Sequence, residues 1–216
     1  MSKAFYNTAV VGITGVGKSS LINYLFGDKI AQTGIGRPVT ERGFSSYEFY
    51  IGKLPVKLFD SWGLEVNKVS EWTEDLNKEL ALRGTDKPAE EWFHTILFCI
   101  NAAGTRIQDA ELKVIERFLE ERYRVVIILT KADLLNEEDE AEFIKKMHSS
   151  IGQELPIIPV CSVSRKSRRG VTIEAFGKEE VQAQIYNNFW DSIVVRLPPR
   201  CRRVVEAHIE NWEQQQ

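Results

Sequence analysis

The chain is 216 residues long with 43% apolar residues, enough to bury a core within one domain or a domain with an appendage. Its 28 Lys and Arg against 31 Asp and Glu leave a net charge of -3, so no global basic field points to nucleic acid or an anionic membrane. Cys99, Cys161 and Cys201 are odd in number and stand in no metal-type spacing, which argues against a disulfide framework or a zinc site. Residues 1–6 carry no signal-peptide core, and the apolar runs at 96–103 and 125–129 are too short to span a bilayer. The expectation is a soluble, cytoplasmic protein of a reducing compartment.

In chain order, a strand-like apolar run at 8–13 is followed by a glycine-rich turn and a helical pattern at 18–26 that stops at Gly27. Residues 44–50 read as an edge strand and 56–59 as a buried one, while 67–89, rich in charge and holding Gly84 and Pro88, read as a helix followed by a variable loop. A buried strand at 95–100 leads to a helix at 109–122, started by Asp109 as N-cap and placing Leu112, Ile115, Phe118 and Leu119 near one face. The strand 125–129, the helix 137–149 with Phe143, Ile144 and Met147, and the strand 157–160 repeat the alternation. A closing helix at 178–195 is separated by Pro198-Pro199 from an amphipathic tail with a polar end. This rhythm predicts an α/β fold, a mostly parallel six-stranded sheet with helices on both faces, as one domain over 1–197 with a short helical tail over 198–216.

The sharpest motif is Gly12-Ile13-Thr14-Gly15-Val16-Gly17-Lys18-Ser19, which follows a predicted strand and opens a predicted helix. Glycines let the backbone wrap an anion, so N–H groups from Gly12, Thr14, Gly15, Val16, Gly17, Lys18, Ser19 and Ser20 and the helix N-terminus would meet phosphate charge. Lys18 would bridge the terminal phosphates and the Ser19 hydroxyl would coordinate magnesium. Asp60-Ser61-Trp62-Gly63 follows the 56–59 strand, so Asp60 would emerge beside the cradle to hold magnesium, and the Gly63 N–H would reach the last phosphate. In the glycine-punctuated segment 32–43, Thr40 is the candidate first-switch residue completing the metal shell, with Thr33 as its rival.

Thr130-Lys131-Ala132-Asp133 closes the 125–129 strand. A carboxylate at Asp133 can accept from the N1–H and exocyclic amine of guanine, whereas adenine offers no such donor pair, so the ligand is expected to be GTP or GDP. The Lys131 stem can lie across the base. Cys161-Ser162 sits where a last loop would offer a backbone N–H to the guanine carbonyl.

Taken together, these residues resemble the TRAFAC class of P-loop GTPases, within it the Era-like group that includes TrmE, over roughly residues 4–197. The best stretch is 10–25. The resemblance implies six strands flanked by five helices, magnesium-dependent GTP hydrolysis and two switch regions. The sequence departs from the pattern at four places: Thr130 where the base motif usually begins with Asn, Trp62 for a frequent proline, Gly15 where potassium-activated relatives carry Asn and dynamin-like ones Ser, and Cys161-Ser162 for Ser-Ala. Leu64 occupies the place of the Gln that orients water in many small GTPases, so slow intrinsic turnover is expected, relieved by a nucleotide-dependent homodimer or an effector.

The basic run Arg165-Lys166-Ser167-Arg168-Arg169 has two readings, a solvated loop or a contact for RNA phosphates or acidic lipid. A ribosome, RNA or membrane effector has no other support in the sequence. His94, His148 and His208 lack partner spacing and read as structural; Phe189, Trp190 and Trp212 read as core or interface residues. Against the GTP-hydrolysing switch stand two alternatives: a GTP-dependent scaffold with negligible turnover, and a P-loop kinase, which Lys131 and Asp133 disfavour.

Overall fold

The computed structural model describes residues 5–27, 44–61, 69–83, 87–104, 107–166 and 172–213. Six strands form one sheet: β1 (Tyr6–Gly12), β2 (Phe44–Ile51), β3 (Leu54–Ser61), β4 (Thr95–Asn101), β5 (Arg124–Thr130) and β6 (Ile157–Val160), in the order β2-β3-β1-β4-β5-β6. β2 joins β3 antiparallel and every other pairing is parallel, with Ala9 opposite Phe59 on one side and Ile96 on the other. The edge position of the 44–50 run follows from its half-exposed, mixed composition, whereas β1, β4 and β5 are buried on both faces and so read as continuous apolar runs.

Helices cover both faces. α1 (Lys18–Phe26) and α5 (Lys178–Val194) lie on one, where Leu21, Ile22, Leu25, Val181 and Ile185 pack with Val10, Leu58, Leu97, Val126 and Ile128. α2 (Val69–Leu82), α3 (Asp109–Glu120) and α4 (Glu137–Ile151) lie on the other, where Trp72, Leu76, Ile115, Phe118, Phe143 and Met147 meet Val11, Phe98, Ile100, Ile127 and Leu129. Odd and even positions of β4 and β5 thus feed opposite layers, as the two-residue period of a strand requires. Each of these large apolar side chains contributes roughly 1.5–3 kcal/mol on full burial.

Local starts and stops follow backbone chemistry. α1 ends at Gly27, whose N–H donates to the Asn23 carbonyl at 2.7 Å. α3 departs from expectation: its N-cap is Gln108, not Asp109, because the Gln108 N–H donates to the Glu111 carboxylate at 2.9 Å and draws the helix start back one residue. After α5, a last helix α6 (Pro199–Glu213) begins at Pro199, with the Arg202 guanidinium donating to the Val195 carbonyl at 2.8 Å. No described helix is long and apolar enough to cross a membrane.

The edge of the sheet formed by the strand N-termini carries a polar network. The Tyr6 hydroxyl and Thr95 Oγ1 lie 2.6 Å apart, and Asn188 of α5 donates to that same Thr95 oxygen at 3.3 Å. His94, 4% exposed, accepts the Asn7 backbone N–H on Nδ1 at 2.9 Å and stacks on Tyr6 with ring centroids 4.7 Å apart. The Arg196 guanidinium lies 4.7 Å from the Trp92 ring and 4.5 Å from that of Tyr123 and donates to the Phe93 carbonyl, so cation–π contact replaces lost hydration.

Candidate functional site

The opposite edge, where β1, β3, β5 and β6 end, gathers the sequence motifs. β1 finishes at Gly12, with φ +152°; a Cβ there would stand 2.6 Å from the Cys99 carbonyl oxygen, so the close approach of β1 to β4 at this point excludes any side chain. The chain then turns through residues 13–17 and enters α1, capped by Gly17 in the left-handed region at φ +113°. α1 carries no acidic residue in its first turn, so nothing on the helix itself offsets the positive end of its dipole. Thr14, Gly15, Ser19 and Ser20 are exposed around this turn, while Val16 is buried beneath it.

Lys18 is 8% exposed, and its ammonium donates to the Gly12 carbonyl at 3.0 Å and the Ile13 carbonyl at 3.2 Å. Burial lowers its pKa, with Cys99 and Asp60 acting the other way. At the end of β3, Asp60 shows the mirror problem. Its Oδ1 is buried without a hydrogen-bond partner among the described residues, and burial pushes its pKa up to about 6 against the pull of Lys18. A cation and an anion are therefore both held in poor solvation at one edge. A polyanion bound with a hard divalent cation would satisfy both, and the carboxylate and hydroxyl donors of Asp60 and Ser19 suit magnesium. The neighbouring Ser61 Oγ is likewise buried and, among the described residues, unpartnered.

Thr130, the last residue of β5, ties the edge together. Its Oγ1 lies 2.7 Å from the Val16 carbonyl oxygen and 3.0 Å from that of Ile100, so one hydroxyl links the glycine turn to β4. Lys131 follows in the left-handed region at φ +57°, with its ammonium donating to the Gly15 carbonyl at 3.2 Å. Asp133 lies in the short 3-10 turn Ala132–Leu134, with its side chain only 6% exposed. Cys161 continues from β6; burial raises its thiol pKa and the adjacent Asp133 carboxylate adds to the rise. Ser162 is half-buried beside it.

The structure thus brings residues 12–20, Asp60, Thr130, Lys131, Asp133 and Cys161 to one edge. Thr33, Thr40, Trp62, Gly63 and Leu64 lie outside the described residues. Two contacts had no sequence signal of their own: the Lys131 bond to Gly15, and an ion pair from Arg165 Nη2 to Asp133 Oδ2 at 2.5 Å. Arg165 is thereby not simply a solvated residue of the basic run, although Lys166 is exposed. Among the described residues no cluster of His, Cys, Asp and Glu is arranged to hold a metal by itself, and His148 is engaged with the Leu155 carbonyl at 3.0 Å.

Residues 7–131, from β1 to the first two residues of the base motif, match the model of the family described as 50S ribosome-binding GTPase. The chain belongs to this family. Among curated relatives, GTPase Der of Dinoroseobacter shibae is 30% identical over 167 residues, covering 76% of this chain and 32% of that protein. GTPase Era of Clostridioides difficile is 26% identical over 161 residues, covering 74% of this chain and 50% of that protein. The chain therefore spans only a third to a half of the length of these relatives. In fold it is similar to the G domain of the Thermotoga maritima FeoB iron transporter, with TM-score 0.56 and 18% identity over 85% of this chain and 98% of that one. It is also similar to Toc33 of Arabidopsis thaliana in complex with magnesium and GMPPNP, with TM-score 0.58 and 16% identity over 86% of each. The six-stranded P-loop GTPase fold expected from the sequence is the fold observed.

Proposed function

We propose that this GTPase-family chain is a molecular switch that binds GTP with magnesium and hydrolyses it slowly to GDP and phosphate. The observation that carries the reading is the Thr130 hydroxyl, which couples the phosphate-cradling turn at Val16 to the strand end that presents Asp133, so phosphate and base recognition share one framework. In this reading N–H groups of Gly12, Thr14, Gly15, Val16, Gly17, Lys18, Ser19 and Ser20 hold the phosphates, with Lys18 turning from its own loop carbonyls to the phosphate oxygens. Asp133 selects guanine, Lys131 flanks the base, and the Cys161 and Ser162 backbone meets its carbonyl. Magnesium, held by Ser19, Asp60 and Thr40, supplies neutralisation of charge on the phosphate oxygens. Gly63 meets the last phosphate through its N–H.

Residues 1–197 form the nucleotide-binding unit in this proposal, with 198–216 as its appendage. The family description favours a ribosomal particle as the first effector to test, and a cytoplasmic setting accords with it. A nucleotide-dependent homodimer across the switch face is the alternative source of acceleration. Leu64, which cannot orient water by a hydrogen bond, favours low basal turnover and keeps a scaffold with negligible hydrolysis as a second reading. Phosphate release at saturating GTP and magnesium separates them. The switch predicts a slow release, on the order of 10⁻³ s⁻¹ or less, that Lys18→Ala abolishes. Release no faster than that of Lys18→Ala leaves only the scaffold.

A further inference from the structure

Beyond Cys161 the chain makes a closed excursion before entering α5. Cys161 and Phe176 exchange backbone hydrogen bonds of 3.2 and 3.0 Å, which pin the two ends of the excursion together. Between them β7 (Arg165–Lys166) pairs antiparallel with β8 (Thr172–Ile173), with Arg165 opposite Ile173. The Ser164 hydroxyl donates to Glu174 at 2.9 Å and accepts the Ala175 N–H at 3.0 Å, locking the base of the hairpin. The exit is fixed too. Gly177, at φ +90°, leaves so little room that a Cβ would lie 2.5 Å from the Pro159 carbonyl oxygen. Arg165 is therefore delivered to Asp133 by a built hairpin, and its guanidinium meets the carboxylate at 2.5 Å.

We propose that Arg165 is a latch on the base subsite, closing the Asp133 carboxylate when no guanine is bound and released from it by guanine. The inference rests on Asp133 as the guanine-selecting group. Guanine presents two donors side by side and needs both carboxylate oxygens along one edge. With Asp133 only 6% exposed and one oxygen already engaged by Arg165, guanidinium and guanine compete for that edge. The Arg165 side chain, 48% exposed, regains water on release, so displacing it is far less costly than freeing a buried cation. The latch reads the base and not the phosphates. GTP and GDP open it alike, and ATP leaves it shut. This distinguishes it from the segments that sense the last phosphate.

The test is titration of fluorescent GDP into the full chain and its Arg165→Ala and Arg165→Lys variants, together with amide hydrogen exchange of the hairpin. Arg165→Ala should bind GDP about fivefold more tightly than the parent, as expected for loss of a competing ion pair. The gap should narrow in high salt, with Arg165→Lys falling between. Amides of residues 165–166 and 172–173 should exchange faster with GDP or GTP bound, and no faster with ATP. Unchanged or weaker GDP binding by Arg165→Ala, or hairpin exchange indifferent to guanine nucleotide, overturns the latch. Asp133→Asn is run in parallel. A shift of that variant toward xanthosine nucleotides with no Arg165 effect removes the latch alone, whereas no shift removes both the base assignment and the latch built on it.

Discussion

His94 gives the fold a pH dependence that can be worked from its surroundings. It is 4% exposed, stacked on Tyr6, and uses unprotonated Nδ1 to accept the Asn7 N–H, so a proton there would break that bond and strand a charge. Burial holds its pKa near 4 against an ordinary 6.5, with Arg196 adding to the depression and backbone hydrogen bonds opposing it. Between these values the unfolded chain binds more protons than the folded one, so stability is complete above 6.5 and is lost as pH falls. The loss amounts to about 2 kcal/mol by pH 5 and about 3 kcal/mol by pH 4. Asp60 works in the opposite sense, since its raised pKa of about 6 lets the folded state take up a proton first on acidification. A raw pH profile therefore mixes the two groups, and a variant is needed to separate them. His94→Asn keeps an acceptor near the Nδ1 position but cannot titrate. Urea denaturation of nucleotide-free parent and variant at pH 7, 6 and 5 should show the parent more stable at neutrality, with its advantage shrinking by about 2 kcal/mol across the range. An advantage that stays constant with pH refutes the reasoning, because only a titrating imidazole can bend the difference.

Three other outcomes follow from the site. Asp133→Asn should lose GTP affinity and gain affinity for xanthosine triphosphate, a swing of about 2–4 kcal/mol in competition binding, because an amide can donate where a carboxylate only accepts. Thr130→Val keeps the side-chain shape but removes the hydroxyl between Val16 and Ile100; about 1–2 kcal/mol of stability should disappear in urea, with weaker GDP binding, while Thr130→Ser retains both. Unaltered GDP affinity in Thr130→Val would break the proposed link between base and phosphate loops. Gly12→Ala should destabilise the chain by about 2–3 kcal/mol, since its Cβ meets the Cys99 carbonyl at a φ that side chains rarely adopt, and a thermal midpoint equal to the parent's would contradict that crowding.

The sheet was readable because burial on both faces forces long apolar runs, and the glycine turn because close backbone approach leaves few residue choices. The cap of α3 was misread: Asp109 has the stronger general preference, yet the partner that decides the start is Glu111. Arg165 and Asp133 stand far apart in sequence, and their meeting depends on the register of β7 with β8, which charge alone does not encode. The Tyr6–Thr95 and Asn7–His94 contacts join residues nearly ninety positions apart and left no local pattern to find.

α5 is entered through its cap Gly177, packed against Pro159 beside the base loop, while toward its far end Asn188 meets Thr95 and, just past it, Arg196 reaches Phe93. Its 17 residues make a rod about 25 Å long, running from one rim of the sheet to the other. α6 leaves from that distant rim. The rod is thus the covalent path by which a tilt at the base loop would reach the start of α6 as a swing.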